Sequence, residues 1–153
     1  MSITDNNAAS NIRNRKERVE ISDQTMCVRY RTIIGFSYPS ILYQSCLDDE
    51  MRKIITRWRL SSHKLKIETG RYTVPKTQMI ERICKICVVI EDECHAIYKC
   101  DAHRLIREKF KNKLDFEHVD LQKLLNPTSI IDASNLGKFL TKIEKNMEEL
   151  DMI

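Results

Sequence analysis

The stretch ICKICVVIEDECHAIYKC, residues 83–100, holds four of the six cysteines of this 153-residue chain. Its spacing is Cys84-x2-Cys87-x7-His95-x4-Cys100, a close pair of thiols followed by an imidazole and a third thiol. A Cys-x2-Cys turn directs both sulfurs to one point about 2.3 Å away, which supplies half of a tetrahedral zinc site. The spacing therefore predicts a zinc ion bound by these three cysteines and His95.

The predicted site is structural, because three thiolates and one imidazole fill all four positions around zinc. His95 and Cys100 are five positions apart, so they can share one ion only if the helical turn between them ends or distorts. Two neighbours compete as ligands: Cys94 points about 100° away from His95 on a helix, and His103 would be a fifth ligand. The alternative interpretation is four ordinary buried side chains, since free cysteine is among the most buried residue types.

Around this centre the sequence predicts a mainly α fold with a small zinc-stapled β-hairpin (α+β). The chain has only three glycines and three prolines, which favours helices over barrels or sandwiches. One apolar stripe follows a cap at Asp48 or Asp49, and a second runs to Leu150 behind a cap at Ser134. Asp92 is expected to cap the helix that carries His95.

The domain organisation is predicted as a single domain over residues 25–150, behind a disordered polar tail over residues 1–24. We divide that domain into a basic helical element at 47–72, a zinc-binding core at 83–107 and C-terminal helices at 119–150. The hairpin is placed within the zinc-binding core.

Charge is distributed unevenly along the chain. From Arg52 to Lys85 there are ten basic residues against two acidic ones, whereas from Asp115 onward eight acidic residues face four lysines. Such polarity can turn one side of a protein toward a polyanion, and aromatic rings among the cations offer stacking surfaces. The predicted nucleic-acid-binding residues are Arg52, Arg57, Arg59, His63, Lys64, Lys66 and Arg71. On the alternative interpretation these side chains only solvate a helix; on both, they are exposed.

Several function classes are excluded by what the sequence lacks. No apolar run approaches the roughly 18–20 residues of a membrane span, and the first residues do not resemble a secretory signal. We therefore expect an intracellular protein, nuclear or cytoplasmic, whose cysteines bind metal or stay as thiols. No Gly-rich phosphate loop or two-metal carboxylate set is present, so neither an enzyme nor a small-molecule substrate is predicted. The acidic run 91–93 is expected at a helix N-terminus, where the dipole favours anions.

Three segments resemble a known family: RWRLSSHKLKIETGRY at 57–72, ERICKICVVIEDECHAIYKC at 81–100 and HRLIREKF at 103–110. They are similar to the zinc-binding tail, or reverse-transcriptase-associated zinc-binding domain, of non-LTR (LINE-like) retrotransposon polyproteins. The shared pattern is an Arg-rich segment with a His, then Cys-x2-Cys, an acidic patch, His, Cys and a following Arg. The resemblance covers roughly residues 28–143, and it implies a free-standing fragment or domesticated copy.

The resemblance implies the same four zinc ligands and a role in holding RNA or DNA, without sequence specificity, beside a polymerase. The catalytic aspartates of that polymerase have no counterpart here, so no polymerase activity is implied. Family members often have Gly directly after the Cys-x2-Cys turn, where this chain has Val88; we expect the substitution to weaken the metal site. The alternative function is a protein–protein interaction domain or a non-functional retroelement remnant.

Overall fold

The computed structural model describes residues 40–44 and 46–152, and within them helices supply almost all regular structure. The α-helices are α1 (Asp49–Arg59), α2 (Lys66–Thr69), α3 (Arg104–Phe110), α4 (Leu121–Leu124) and α5 (Ile130–Asp151). Short 3-10 turns cover Ser40–Tyr43, Met79–Glu81 and Asp101–His103, and a π-helical turn covers His95–Lys99. The mainly α prediction is confirmed, and the predicted tail at 1–24 lies outside the described residues.

The predicted β-hairpin is reduced to a tight turn. Within the described ranges the only β pairing is an isolated antiparallel bridge between Ile83 and Ile90. Inside that bridge the Cys84 N–H donates to Val89 O at 2.8 Å, and the Val88 N–H donates to Cys84 O at 3.0 Å. Outside the bridge the Glu91 N–H donates to Arg82 O at 2.9 Å, but a 3-10 turn ends at Glu81 and Asp92 caps the next helical segment, so neither strand continues.

Helix α1 packs its apolar face against α5, and the buried side chains of both helices belong to one hydrophobic core. The Asp48 carboxylate accepts hydrogen bonds from the backbone N–H groups of Glu50 and Met51, as the predicted cap requires. The buried side chains of α1 include Ile54, Ile55 and Trp58; those of α5 include Leu136, Phe139, Leu140, Ile143 and Met147. This confirms the apolar stripes that the sequence indicates on both helices.

Helix α5 begins earlier than predicted. Its cap is Ser129, whose hydroxyl accepts from the Asp132 N–H at 3.0 Å, and Ser134 lies inside the helix. Both serines precede apolar residues at helical spacing, but only Ser129 has an acidic residue three positions later, the arrangement of a capping box. In the part of the chain that the structure describes, no helix combines the length and apolar character needed to cross a bilayer.

Gly137 lets α1 and α5 approach closely. A Cβ at this position would lie 2.7 Å from Met51 Sδ, 2.8 Å from Met51 Cβ and 3.1 Å from Met51 Cα. We therefore expect Gly137→Ala to destabilise the protein by about 1–3 kcal/mol, although the same change in an exposed helix stabilises by about 1 kcal/mol. Urea denaturation measures the difference. The exposed Lys142→Ala variant is the control, and a gain in stability for Gly137→Ala would contradict the close contact.

Candidate metal centre

The four predicted ligands come together in the structure. One ligand atom from each of Cys84, Cys87, His95 and Cys100 lies within 4.8 Å of all the others. The Cys100 sulfur is 3.9 Å from both the Cys84 sulfur and the Cys87 sulfur. Sulfurs at the corners of a tetrahedron with metal–sulfur bonds of about 2.3 Å are about 3.8 Å apart. The group can therefore hold a metal ion.

A π-helical turn solves the spacing problem between His95 and Cys100. Asp92 Oδ1 accepts from the His95 N–H at 2.8 Å, as the predicted cap requires, and the Cys100 N–H donates to His95 O at 2.7 Å. Five residues along an α-helix would place two side chains about 140° apart. The i to i+5 hydrogen bond widens the turn and brings both side chains to the same side, so the expected distortion is confirmed.

The His95 imidazole has the features of a metal ligand. Its side chain is buried, and its Nε2 atom has no hydrogen-bond partner among the described residues. Buried polar atoms nearly always have a partner, and an ion between the three sulfurs would supply one. Burial also lowers the pKa of His95, despite the nearby Asp92 carboxylate, and so keeps the ring in the neutral form that binds metals.

The Cys100 thiol is strongly disfavoured as a free thiolate. Burial raises its pKa to about 12, and the neighbouring thiols of Cys84 and Cys87 add to this effect, while a backbone hydrogen bond from Ala102 opposes it. A metal ion must therefore displace the proton from this sulfur in order to bind. A metal that favours thiolate is needed to do so.

The two competing ligands lie outside the group. Cys94 is exposed, and its sulfur is not part of the cluster. His103 is buried, with its Nδ1 donating to Ala96 O at 2.9 Å. It lines a small cavity of about 50 Å³ beside the cluster.

Val88 occupies a strained position directly after the Cys-x2-Cys turn. Its φ is +56°, in the left-handed region that costs a residue with a Cβ about 1–2 kcal/mol. Its side chain is 68% exposed, so truncating it loses little buried area. We expect Val88→Gly to raise stability by about 1 kcal/mol, measured by denaturation with zinc present. Val89→Gly, at a position without a positive φ, should lower the stability by about 0.5–1 kcal/mol. If both variants lose the same amount of stability, the backbone at Val88 is not strained.

Two of the predicted nucleic-acid-binding residues are buried, which corrects their assignment as solvated cations. Arg59 is 4% exposed and His63 is 5% exposed. Arg59 follows Ile55 by four residues, so it flanks the apolar face of α1 and is carried into the core. The His63 ring packs beside the Trp58 ring, with centroids 5.0 Å apart, and is therefore not available for stacking on a base.

The other predicted cations are engaged within the protein. The Arg52 guanidinium donates to the backbone carbonyls of Leu42, Gln44 and Leu47, and Arg71 lies 3.5 Å from Glu68 with both side chains largely buried. Lys66 donates to Ile83 O at 2.7 Å and lies 3.7 Å from Glu91. Two cations pair with carboxylates of α5: Arg57 with Glu144 at 2.9 Å, and Lys64 with Glu148. The acidic helix therefore neutralises part of the basic element.

Glu93 lies at the start of a helical segment, where the sequence analysis placed the acidic run, but its side chain is buried. It is 1% exposed, and its Oε1 accepts from the Ser61 hydroxyl at 3.1 Å and lies 2.8 Å from His63 Nε2. Glu144 is similar, since it accepts from Trp58 Nε1 at 3.0 Å. The available signal was Trp58 itself, because a buried indole N–H needs an acceptor.

The turn around the metal centre presents apolar side chains outward. We name Ile86, Val88, Val89 and Ile90 the turn surface; their exposed fractions are 50%, 68%, 48% and 36%. Contiguous apolar residues on the surface of a small protein often mark an interaction site. The structure thus offers an apolar surface at the metal centre, in addition to the basic residues that the charge pattern indicated.

Comparison with known proteins identifies no family. No protein-family model, curated protein or solved structure matches this chain. Function is therefore argued from the metal centre and the surface around it.

Proposed function

We propose that the protein is a non-enzymatic zinc-binding module in which one zinc ion holds the fold together. The observation that carries the proposal is the buried His95 Nε2, without a partner in the described chain, grouped with three sulfurs at tetrahedral spacing. Cys84 and Cys87 would hold the ion from the turn, and His95 and Cys100 from the π-helical segment. Bound zinc supplies a cross-link and, with four protein ligands, leaves no position for a substrate.

Zinc fits this donor set better than other common metals. Thiolates are soft ligands that favour zinc, copper(I) or iron–sulfur clusters, and the imidazole favours zinc within a mononuclear tetrahedral site. The resemblance to the zinc-binding tail of retrotransposon polyproteins supports the same choice. On this proposal the module is an intracellular retroelement fragment or domesticated copy, with its zinc core in a domain over residues 25–150.

Elemental analysis of protein purified without chelator tests the zinc site. We expect one zinc per chain in the wild type and also in Cys46→Ser, because Cys46 is exposed and lies outside the cluster. Protein that folds without any metal, or that retains iron instead, would refute the proposal.

We further propose that the module binds RNA or DNA without sequence specificity, through cations beside the zinc core. Support comes from the retroelement resemblance and from the side chains of Arg57 and Lys64, which are 50% and 60% exposed. Both are paired with carboxylates of α5. The pair of Lys64 with Glu148 is exposed, and such ion pairs contribute only about 0–1 kcal/mol. A phosphate can therefore displace Glu148 from Lys64 with a small loss of free energy. Binding should weaken steeply as salt rises.

Charge variants at this pair test the nucleic-acid proposal. We expect Arg57→Gln with Lys64→Gln to weaken binding and to lower the salt slope by about two units, one for each lost phosphate contact. Glu148→Gln should strengthen binding, because it releases Lys64. The control is Lys138→Gln with Lys142→Gln, which removes the same charge from exposed positions of α5. Equal weakening by both double variants, measured by fluorescence anisotropy across salt concentrations, would argue against a localised interface.

The turn surface favours a second candidate, a protein-interaction domain. Its four apolar side chains would contact a protein partner more favourably than phosphate. Burying apolar surface stabilises a complex by about 25 cal/mol per Å². Ile86→Ser with Val89→Ser discriminates the two candidates. Unchanged nucleic-acid affinity in this variant is expected if the cations form the interface, whereas a loss would assign the binding to the turn surface.

A further inference from the structure

Arg107 carries a buried donor without an acceptor. It lies on α3, four residues after His103 and therefore one helical turn further along. Its Nη1 atom is buried and has no hydrogen-bond partner within residues 40–44 and 46–152. A guanidinium has only donors and stays charged, and leaving a buried charged donor unsatisfied is strongly unfavourable. The site of Arg107 therefore calls for a negatively charged acceptor.

The charged neighbours of Arg107 indicate which acceptor this is. Helix α3 contacts the π-helical segment that begins at His95. Burial lowers the pKa of Arg107, while the charges of Cys100, Asp101 and Cys87 raise it. The Asp101 N–H also donates to the Cys87 sulfur at 3.4 Å, which places the turn leading into α3 directly against the cluster. The nearby charge of Arg104 acts in the same direction as burial and lowers the pKa of Arg107.

The zinc-bound cluster would carry the missing charge. Three thiolates and a neutral imidazole around Zn²⁺ leave a formal charge of −1, largely removed from water because Cys84, His95 and Cys100 are buried. A buried charge needs a partner of opposite sign, and their attraction grows as the local dielectric falls. Groups that donate hydrogen bonds to metal ligands typically change metal affinity 10–100-fold when removed.

We infer that Arg107 is the counter-charge of the metal centre, and that its guanidinium donates to the thiolates of Cys87 and Cys100 when zinc is bound. The inference rests on the proposed zinc site. It assigns Arg107 a positioning role: it binds no metal itself but stabilises the ligands in their ionised form. It also accounts for the buried Arg107 Nη1 atom, which lacks a hydrogen-bond partner among the described residues.

The role of Arg107 is tested by comparing the zinc affinities of the wild type and three variants. Each affinity is measured by competition with a chromogenic chelator. We expect Arg107→Gln to bind zinc about 10–100-fold more weakly than the wild type, and Arg107→Lys to recover part of the loss by restoring the charge. Lys109→Gln removes an exposed cation from the same helix and should equal the wild type. With cobalt(II) in place of zinc, the thiolate-to-metal charge-transfer band should shift in Arg107→Gln and should stay unchanged in Lys109→Gln.

The outcomes separate this inference from the zinc proposal. If the wild type binds no zinc, the proposed function fails. If the wild type binds zinc and Arg107→Gln matches Lys109→Gln in affinity and cobalt spectrum, only the role of Arg107 is refuted. Should Arg107→Gln not fold at saturating zinc, Arg107→Lys decides: an affinity and cobalt spectrum equal to those of the wild type would refute the role, because the forked donor has been removed.

Discussion

His95→Ala is expected to lose zinc and to unfold the segment around the metal centre. A structural zinc ion contributes on the order of 10 kcal/mol of apparent folding free energy, which is as large as the whole stability of a typical domain. Loss of the imidazole leaves three sulfurs, two of them buried, without a complete coordination shell. Circular dichroism and elemental analysis on the same sample measure the two effects together. Wild-type protein treated with a strong chelator should give the same spectrum as the variant.

Cys94→Ser is the matched control for this experiment. Cys94 is next to His95 in sequence, but it is exposed and its sulfur is outside the group of four. We expect this variant to keep one zinc ion and the wild-type spectrum. If Cys94→Ser loses zinc while His95→Ala retains it, the ligand assignment is wrong.

Glu93→Gln is expected to destabilise the protein by about 2–3 kcal/mol, because it removes the charge from a buried, hydrogen-bonded carboxylate. Glu93 Oε1 contacts both Ser61 and His63, which are buried. The Gln amide keeps an acceptor oxygen but loses the negative charge, which weakens both hydrogen bonds. The contacts join the segment after α1 to the residue two positions before His95. Chemical denaturation at saturating zinc measures the change in the free energy of unfolding. Under this condition the folded wild type and the folded variant both hold zinc, so zinc loss does not contribute to the difference.

The control for Glu93→Gln is Glu149→Gln on α5. Glu149 is exposed, so the same removal of charge should change stability by less than about 0.5 kcal/mol. A loss below about 1 kcal/mol in Glu93→Gln would show that the buried carboxylate is not part of a structural cluster.

The features that sequence predicted well depend on short separations along the chain. Three such features are the cap at Asp48, the apolar face of α1 and the proximity of the four ligands. Each depends on residues that are close together in the sequence, and the four ligands all lie within residues 84–100. Each follows from helical periodicity or from the fixed reach of a Cys-x2-Cys turn. The hairpin is reduced to one bridge in the described residues, because a 3-10 turn precedes it and a helical segment follows it directly.

The features that sequence missed depend on distant partners. His63 and Glu93 are 30 residues apart, and Trp58 and Glu144 are 86 residues apart, so no local pattern places either pair in contact. The charge pattern instead indicated nucleic-acid contacts for Arg59 and His63, whereas tertiary packing buries both side chains. The retroelement resemblance, the identity of the metal and nucleic-acid binding stay predictions.

The central claim is that one zinc ion is held by Cys84, Cys87, His95 and Cys100, and X-ray absorption at the zinc edge tests it most directly. The account predicts three sulfur ligands at about 2.3 Å and one nitrogen ligand at about 2.0–2.1 Å in the purified wild type. His95→Ala should lose the nitrogen contribution or the metal itself. A shell of four sulfurs, a shell that includes oxygen, or folded protein without zinc would contradict the account.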